Sequence, residues 1–128
     1  MNEDKKRILI VEDDEEMRAL LRDVIEEEGY KTDSVNNGSE AFRKLVKESF
    51  DLIITDIRMP GLTGLDILPG MKKLHPEAPI IVVTAFGSEE IQRKAFERGA
   101  NAYLEKPIHF QTLRTLIDGM FSKQSRGG

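Results

Sequence analysis

Three short apolar runs punctuate the chain: Lys6–Val11 with its core Ile8-Leu9-Ile10-Val11, Leu52–Thr55, and Ile80–Thr84. None alternates with polar residues and none is long enough for a buried helix. Each therefore reads as a strand covered on both faces. Between them the spacing changes to three and four. Met17, Leu20, Leu21, Val24 and Ile25 form an apolar helix stripe closed by Gly29. Asn37, with Glu40 three residues on, opens a second helix carrying Ala41, Phe42, Leu45 and Val46 on one face. Thr63 caps a third with Asp66 in its first turn, and Ser88 a fourth with Ile91, Ala95 and Phe96 inward, closed by Gly99. Phe110, Leu113, Leu116, Ile117 and Phe121 mark a fifth. Tyr30–Val35 reads as an edge strand and Ala102–Leu104 as a short last one. Pro69-Gly70 falls inside the third helix, where a proline costs about 3 kcal/mol, so a kink, or a first turn offset from the rest, is expected there.

Strands and helices thus alternate five times. That order dictates right-handed crossovers and a parallel sheet with helices on both faces. A chain of 128 residues is one such domain. Residues 1–122 are assigned to it, and 123–128 to a polar tail expected to be disordered. The absence of cysteine excludes disulfides, Cys-ligated zinc and thiol catalysis. No apolar run approaches the roughly 20 residues of a membrane span, and no signal-peptide core is present. A net charge of −4 argues against direct nucleic-acid binding. The expected setting is cytoplasmic, without membrane contact.

In an open parallel sheet the site lies beyond the carboxyl ends of the strands. There the chain places Glu12, Asp13 and Asp14 after the first strand, Asp56 at the end of the third, Thr84 at the end of the fourth and Lys106 after the fifth. Glu12, Asp13 and Asp56 sum to −3 and Lys106 returns +1, a deficit that one divalent cation would close. Mg2+ suits hard oxygen ligands best, and Mn2+ is an acceptable substitute.

These pieces match a family. Ile8–Asp14, Asp51–Gly61, Ile81–Ala85 and Tyr103–Pro107, four segments in order and each at a strand end, resemble the receiver domain of two-component response regulators. Single-domain regulators of the sporulation-relay and chemotaxis type are especially similar. The resemblance runs from about Arg7 to Phe121 and implies a doubly wound, flavodoxin-like (βα)5 fold with strand order 2-1-3-4-5. It implies that Asp56 is the phosphoacceptor for a phosphohistidine. Asp13, Asp56 and the backbone carbonyl of Arg58 would hold the metal, with Glu12 acting through water. Thr84 and Lys106 would engage the phosphoryl group. Thr84 and Tyr103 would act as the switch, reshaping the face of the fourth helix, fifth strand and fifth helix. The Lys106–Pro107 bond would be cis.

Arg58 and Phe86, two residues after Asp56 and Thr84, are expected to screen the acyl phosphate and slow its hydrolysis. Met17, Leu20, Pro107 and Ile108 are expected to meet a sensor histidine kinase or a histidine phosphotransfer protein. The downstream protein target is not specified, and the domain would be a monomer or a phosphorylation-dependent dimer. The domain would be a carrier of phosphate with weak self-dephosphorylation, not a dedicated enzyme.

Read singly, Glu12–Asp14 would be a solvated helix cap, Asp56 a turn cap, Thr84 a strand-end hydroxyl and Lys106 a surface lysine. Their joint placement favours the receiver reading, and only Asp14 keeps the cap assignment. An aspartyl-nucleophile phosphatase would need an acid where Arg58 stands. Nucleotide hydrolysis would need a phosphate loop the chain lacks. A docking module that works unphosphorylated, or a receiver cut from a longer regulator with a DNA-binding output, are the alternatives. His75 and His109 lack metal-ligand spacing.

Overall fold

Period-two alternation along each strand divides the apolar side chains between two cores. Leu9, Val11, Ile53, Ile80 and Val82 face one side; Ile8, Ile10, Leu52, Ile54, Ile81 and Val83 face the other. The computed structural model describes residues 5–57, 64–85 and 87–127, with side chains through Ser122. Its elements are β1 (Arg7–Val11), α1 (Glu15–Glu27), β2 (Lys31–Val35), α2 (Gly38–Lys47), β3 (Leu52–Asp56), α3 (Gly64–Leu74), β4 (Ile80–Thr84), α4 (Glu89–Glu97), β5 (Ala102–Glu105) and α5 (Phe110–Gly127). All pairings are parallel, in the order β2-β1-β3-β4-β5. This is the doubly wound arrangement expected. α2, α3 and α4 cover one face through Ala41, Leu45, Ile67, Leu68, Met71 and Ala95. α1 and α5 cover the other through Leu21, Ile25, Leu113, Ile117 and Phe121. Every residue of β3 and β4 is buried, as unbroken apolar strands require.

The helix starts follow their caps. The side chains of Asp14, Asn37 and Ser88 accept hydrogen bonds from the backbone N–H groups of Met17, Glu40 and Ile91. Gly29 (φ +98°) and Gly99 (φ +118°) close α1 and α4 in the left-handed conformation. The cap assigned to Thr63 lies outside the described residues.

α3 runs unbroken through Pro69. The ring lies on the exposed side, and burial of Ile67, Leu68 and Met71 at about 1.5–3 kcal/mol each outweighs the roughly 3 kcal/mol of one proline. Gly70 beside it has a packing reason, because an added Cβ would lie 2.7 Å from the Phe42 ring of α2. Val46 is 70% exposed and Phe96 43% exposed, although both were placed on inward faces. Each follows directly on a fully buried core residue of its helix, Leu45 and Ala95, and the 100° step carries it out of the buried arc. Finally, the helical backbone of α5 continues to Gly127, through the stretch read as a tail. Gly119 does not stop it, and the polar residues that follow are compatible with a helix.

The amino end of the sheet carries an ion network that the sequence did not announce. Arg7 donates to Asp33 and Glu48, both at 2.7 Å, and its guanidinium lies 4.6 Å from the Phe50 ring centre. Lys44 completes it at 3.2 Å from Glu48 and 3.6 Å from Asp33. The Arg7 backbone N–H donates to Asp51 at 2.8 Å.

Candidate functional site

At the opposite end the pairing register sets the site. β1 and β3 are adjacent, with Val11 beside Thr55, so the residues that follow them, Glu12 and Asp56, emerge side by side. β4 lies next to β3 and β5 next to β4, with Thr84 opposite Glu105. Lys106 then leaves the sheet with its backbone N–H donating to the Thr84 carbonyl at 2.9 Å. The Lys106–Pro107 peptide is cis.

Lys106 Nζ donates to Asp56 Oδ2 at 2.6 Å and to Glu12 Oε1 at 2.8 Å. Glu12 is 1% exposed and Asp56 3%. Carboxylates buried this deeply need a partner, and one ammonium serves both. Glu12 Oε2 also accepts the Asp14 N–H at 3.1 Å, so both of its oxygens are engaged. Burial raises the Glu12 pKa above the ordinary carboxylate range despite those bonds. Burial works against the Lys106 charge, but its bonds to Asp56 and Glu12 win and hold it above the usual lysine value. Asp13 stands exposed at the rim. Oxygen atoms of Glu12, Asp13 and Asp56 lie within 4.8 Å of one another. Three hard carboxylate donors converging against a single lysine fit a divalent cation such as Mg2+.

Thr84 is fully buried at the end of β4. Tyr103, on β5, is half-buried against the core that α2, α3 and α4 cover. Met17 and Ile108 are half-buried against the core that α1 and α5 cover, whereas Leu20 (48% exposed) and Pro107 face solvent. Of the expected docking set, only these two present open surface. Arg58 and Phe86 lie outside the described residues.

Two participants escaped the sequence reading. Arg18 Nη1 donates to the Glu12 carbonyl at 2.9 Å, bracing the acidic turn from the first helix. Gly87 lies against Thr84 and Tyr103. Helical spacing from Asp14 could have placed Arg18 near the turn; nothing local marks Gly87. His75 proved structural, its Nε2 lying 2.7 Å from the Leu45 carbonyl across α2 and α3.

Among the described residues, the parallel (βα)5 sheet gathers its buried charged side chains, Glu12 and Asp56, at the carboxyl ends of its strands. The chain belongs to the response regulator receiver domain family, whose model matches residues 8–118. It is 35% identical over 117 residues to sporulation initiation phosphotransferase F of Bacillus subtilis, covering 91% of this chain and 92% of that protein. It is 35% identical over 113 residues to the response regulator PilR of Pseudomonas aeruginosa, where the match covers 88% of this chain but 25% of that protein. The CheY-like receiver domain protein of Methanospirillum hungatei superposes with a TM-score of 0.93 at 32% identity, covering 97% of this chain and 99% of that one. TrrA of Thermotoga maritima, solved in complex with Mg2+ and a beryllium fluoride, superposes with a TM-score of 0.81 at 36% identity, over 90% of this chain and 98% of that one. The chain is thus a response regulator receiver domain of the two-component type. No described helix is long and apolar enough to cross a membrane.

Proposed function

We propose that this domain accepts a phosphoryl group on Asp56 from a phosphohistidine of a sensor kinase or histidine phosphotransfer protein. The observation that carries the reading is Lys106 bridging the buried carboxylates of Asp56 and Glu12, with Asp13 open beside them. An Asp56 oxygen attacks phosphorus, the O–P bond forms, and the P–N bond breaks with its electron pair returning to the imidazole. Asp13, Asp56 and the Arg58 carbonyl would hold Mg2+, with Glu12 contributing through water; the bound ion supplies charge neutralisation at the phosphoryl oxygens. Lys106 moves its contact from carboxylate to phosphoryl oxygen. The Thr84 hydroxyl donates to another of those oxygens. Phosphorylation turns a monoanion into roughly a dianion. The shift at Thr84 is passed to Tyr103 and so to the face of α4, β5 and α5.

The domain acts as a phosphate carrier in the cytoplasm and not as a turnover enzyme. Its acceptor chemistry would serve a relay, as the likeness to the sporulation phosphotransferase suggests, or the receiver part of a longer regulator. A beryllofluoride-activated NtrC4 receiver domain has been solved as a dimer, and it superposes with a TM-score of 0.86 at 32% identity, covering 96% of this chain and 98% of that one. That favours phosphorylation-dependent dimerisation here.

Intact mass after incubation with acetyl phosphate and Mg2+ tests the acceptor. One phosphoryl gain is expected in the wild type, none in Asp56→Asn and none after chelation. A gain in Asp56→Asn would overturn the assignment. Decay of that species measures the screening role of Arg58 and Phe86, which fails if Arg58→Asn and Phe86→Ala decay like the wild type. Leu20→Asp should slow transfer from the kinase yet spare labelling by acetyl phosphate. Equal loss in both would sink the docking face.

A further inference from the structure

The Tyr103 hydroxyl is fully buried without a hydrogen-bond partner. Its ring lies on the core covered by α2, α3 and α4. An unpartnered buried hydroxyl is costly, so something must make this position easy to occupy. Gly87 faces it. A Cβ built on Gly87 would overlap the Tyr103 hydroxyl, and would lie 3.0 Å from the ring Cζ and 3.2 Å from Thr84 Cγ2. Among the described residues, the glycines with positive φ are Gly29 and Gly99, and Gly87 is not one of them. What it supplies is room.

We propose that Gly87 is the positioning residue for Tyr103: the absent side chain is the berth of the phenol, and any side chain at 87 drives the ring outward. The atom that must yield is the free end of a side chain with rotatable bonds. Rotation of Tyr103 therefore relieves the main clash, leaving Thr84 Cγ2 at 3.2 Å to give by a few tenths of an ångström. A Cβ at 87 would lie near both the phenol and Thr84, so residue 87 sets the balance between the two ring positions before any phosphoryl group arrives. This consequence rests on the phosphoacceptor reading; the berth itself does not.

The test is aromatic NMR on the full chain with 13C-labelled tyrosine. The chain has 2 tyrosines, and Tyr30→Phe assigns the signals. In the wild type, Tyr103 ring protons should show cross-relaxation to the Gly87 α protons and the Thr84 methyl. In Gly87→Ala both sets should vanish. Burial holds the Tyr103 pKa above the ordinary tyrosine value, and in this variant its hydroxyl should ionise at lower pH. Persistence of the Thr84 cross-peaks in Gly87→Ala, or their absence from the wild type, overturns the proposal. If Gly87→Ala does not fold, the double variant Gly87→Ala/Tyr103→Leu should fold as Tyr103→Leu does; its failure would show that the Cβ meets something other than the phenol. Lack of any mass gain on Asp56 in both wild type and Gly87→Ala would defeat the phosphoacceptor reading while leaving the ring result standing.

Discussion

Charge gathers at both ends of this sheet, on opposite terms. At the amino end Arg7 and Lys44 face Asp33 and Glu48, two charges of each sign, each with a side chain roughly one-third exposed. At the carboxyl end Glu12, Asp13 and Asp56 converge on Lys106, three against one, with two of the acids buried. The first cluster is complete in itself. The second carries an excess of two negative charges with two of its acids buried, an imbalance that a divalent cation would close. The balanced, more solvated network serves the fold; the unbalanced one has the charge to receive a cation.

The largest effect that would break this contrast is at Lys106. Lys106→Met leaves Glu12 and Asp56 buried without their cation and should cost about 3 kcal/mol in metal-free urea unfolding. No loss would mean that the acids are not ionised together. Next is Mg2+ itself. At ten times its dissociation constant it should stabilise the wild type by about 1.4 kcal/mol, reversibly on chelation. Asp13→Asn should be more stable than the wild type without metal and gain little from it. Arg7→Met, at the other end, should lose about 1 kcal/mol, because the network is about one-third exposed and screened. It should label with acetyl phosphate at the wild-type rate.

The smallest effect is on pH dependence. Arg7 and Lys44 hold the Glu48 carboxyl below the ordinary carboxylate range. A depressed folded-state pKa contributes stability above the unfolded pKa and loses it as pH falls through the folded value. Glu48→Gln should therefore differ from the wild type near neutrality, and the two should converge in acid and in high salt.

The carboxyl-end cluster was legible because strand ends can be read from sequence. Ile8–Val11, Leu52–Thr55 and Ile80–Thr84 are short, mostly apolar runs, so Glu12 and Asp56 after the first two and Thr84 at the end of the third had to fall on one edge of a parallel sheet. The amino-end cluster was not legible. Arg7 meets Glu48 across 41 positions and Asp33 across 26, and none of these residues stands in a pattern of its own. Val46 and Phe96 were misplaced because a helix stripe read from spacing is wider than the arc a short helix buries. Gly87 stayed hidden because its meaning lies in a tyrosine on β5, distant in sequence.

The division of labour between the two ends is tested most directly by an amide NMR titration of the full chain with Mg2+. Shifts are expected at Glu12–Asp14, Asp56–Ile57 and Lys106, and none at Arg7, Asp33 or Glu48. Shifts of equal size at both ends, or at the Arg7 network alone, would contradict it.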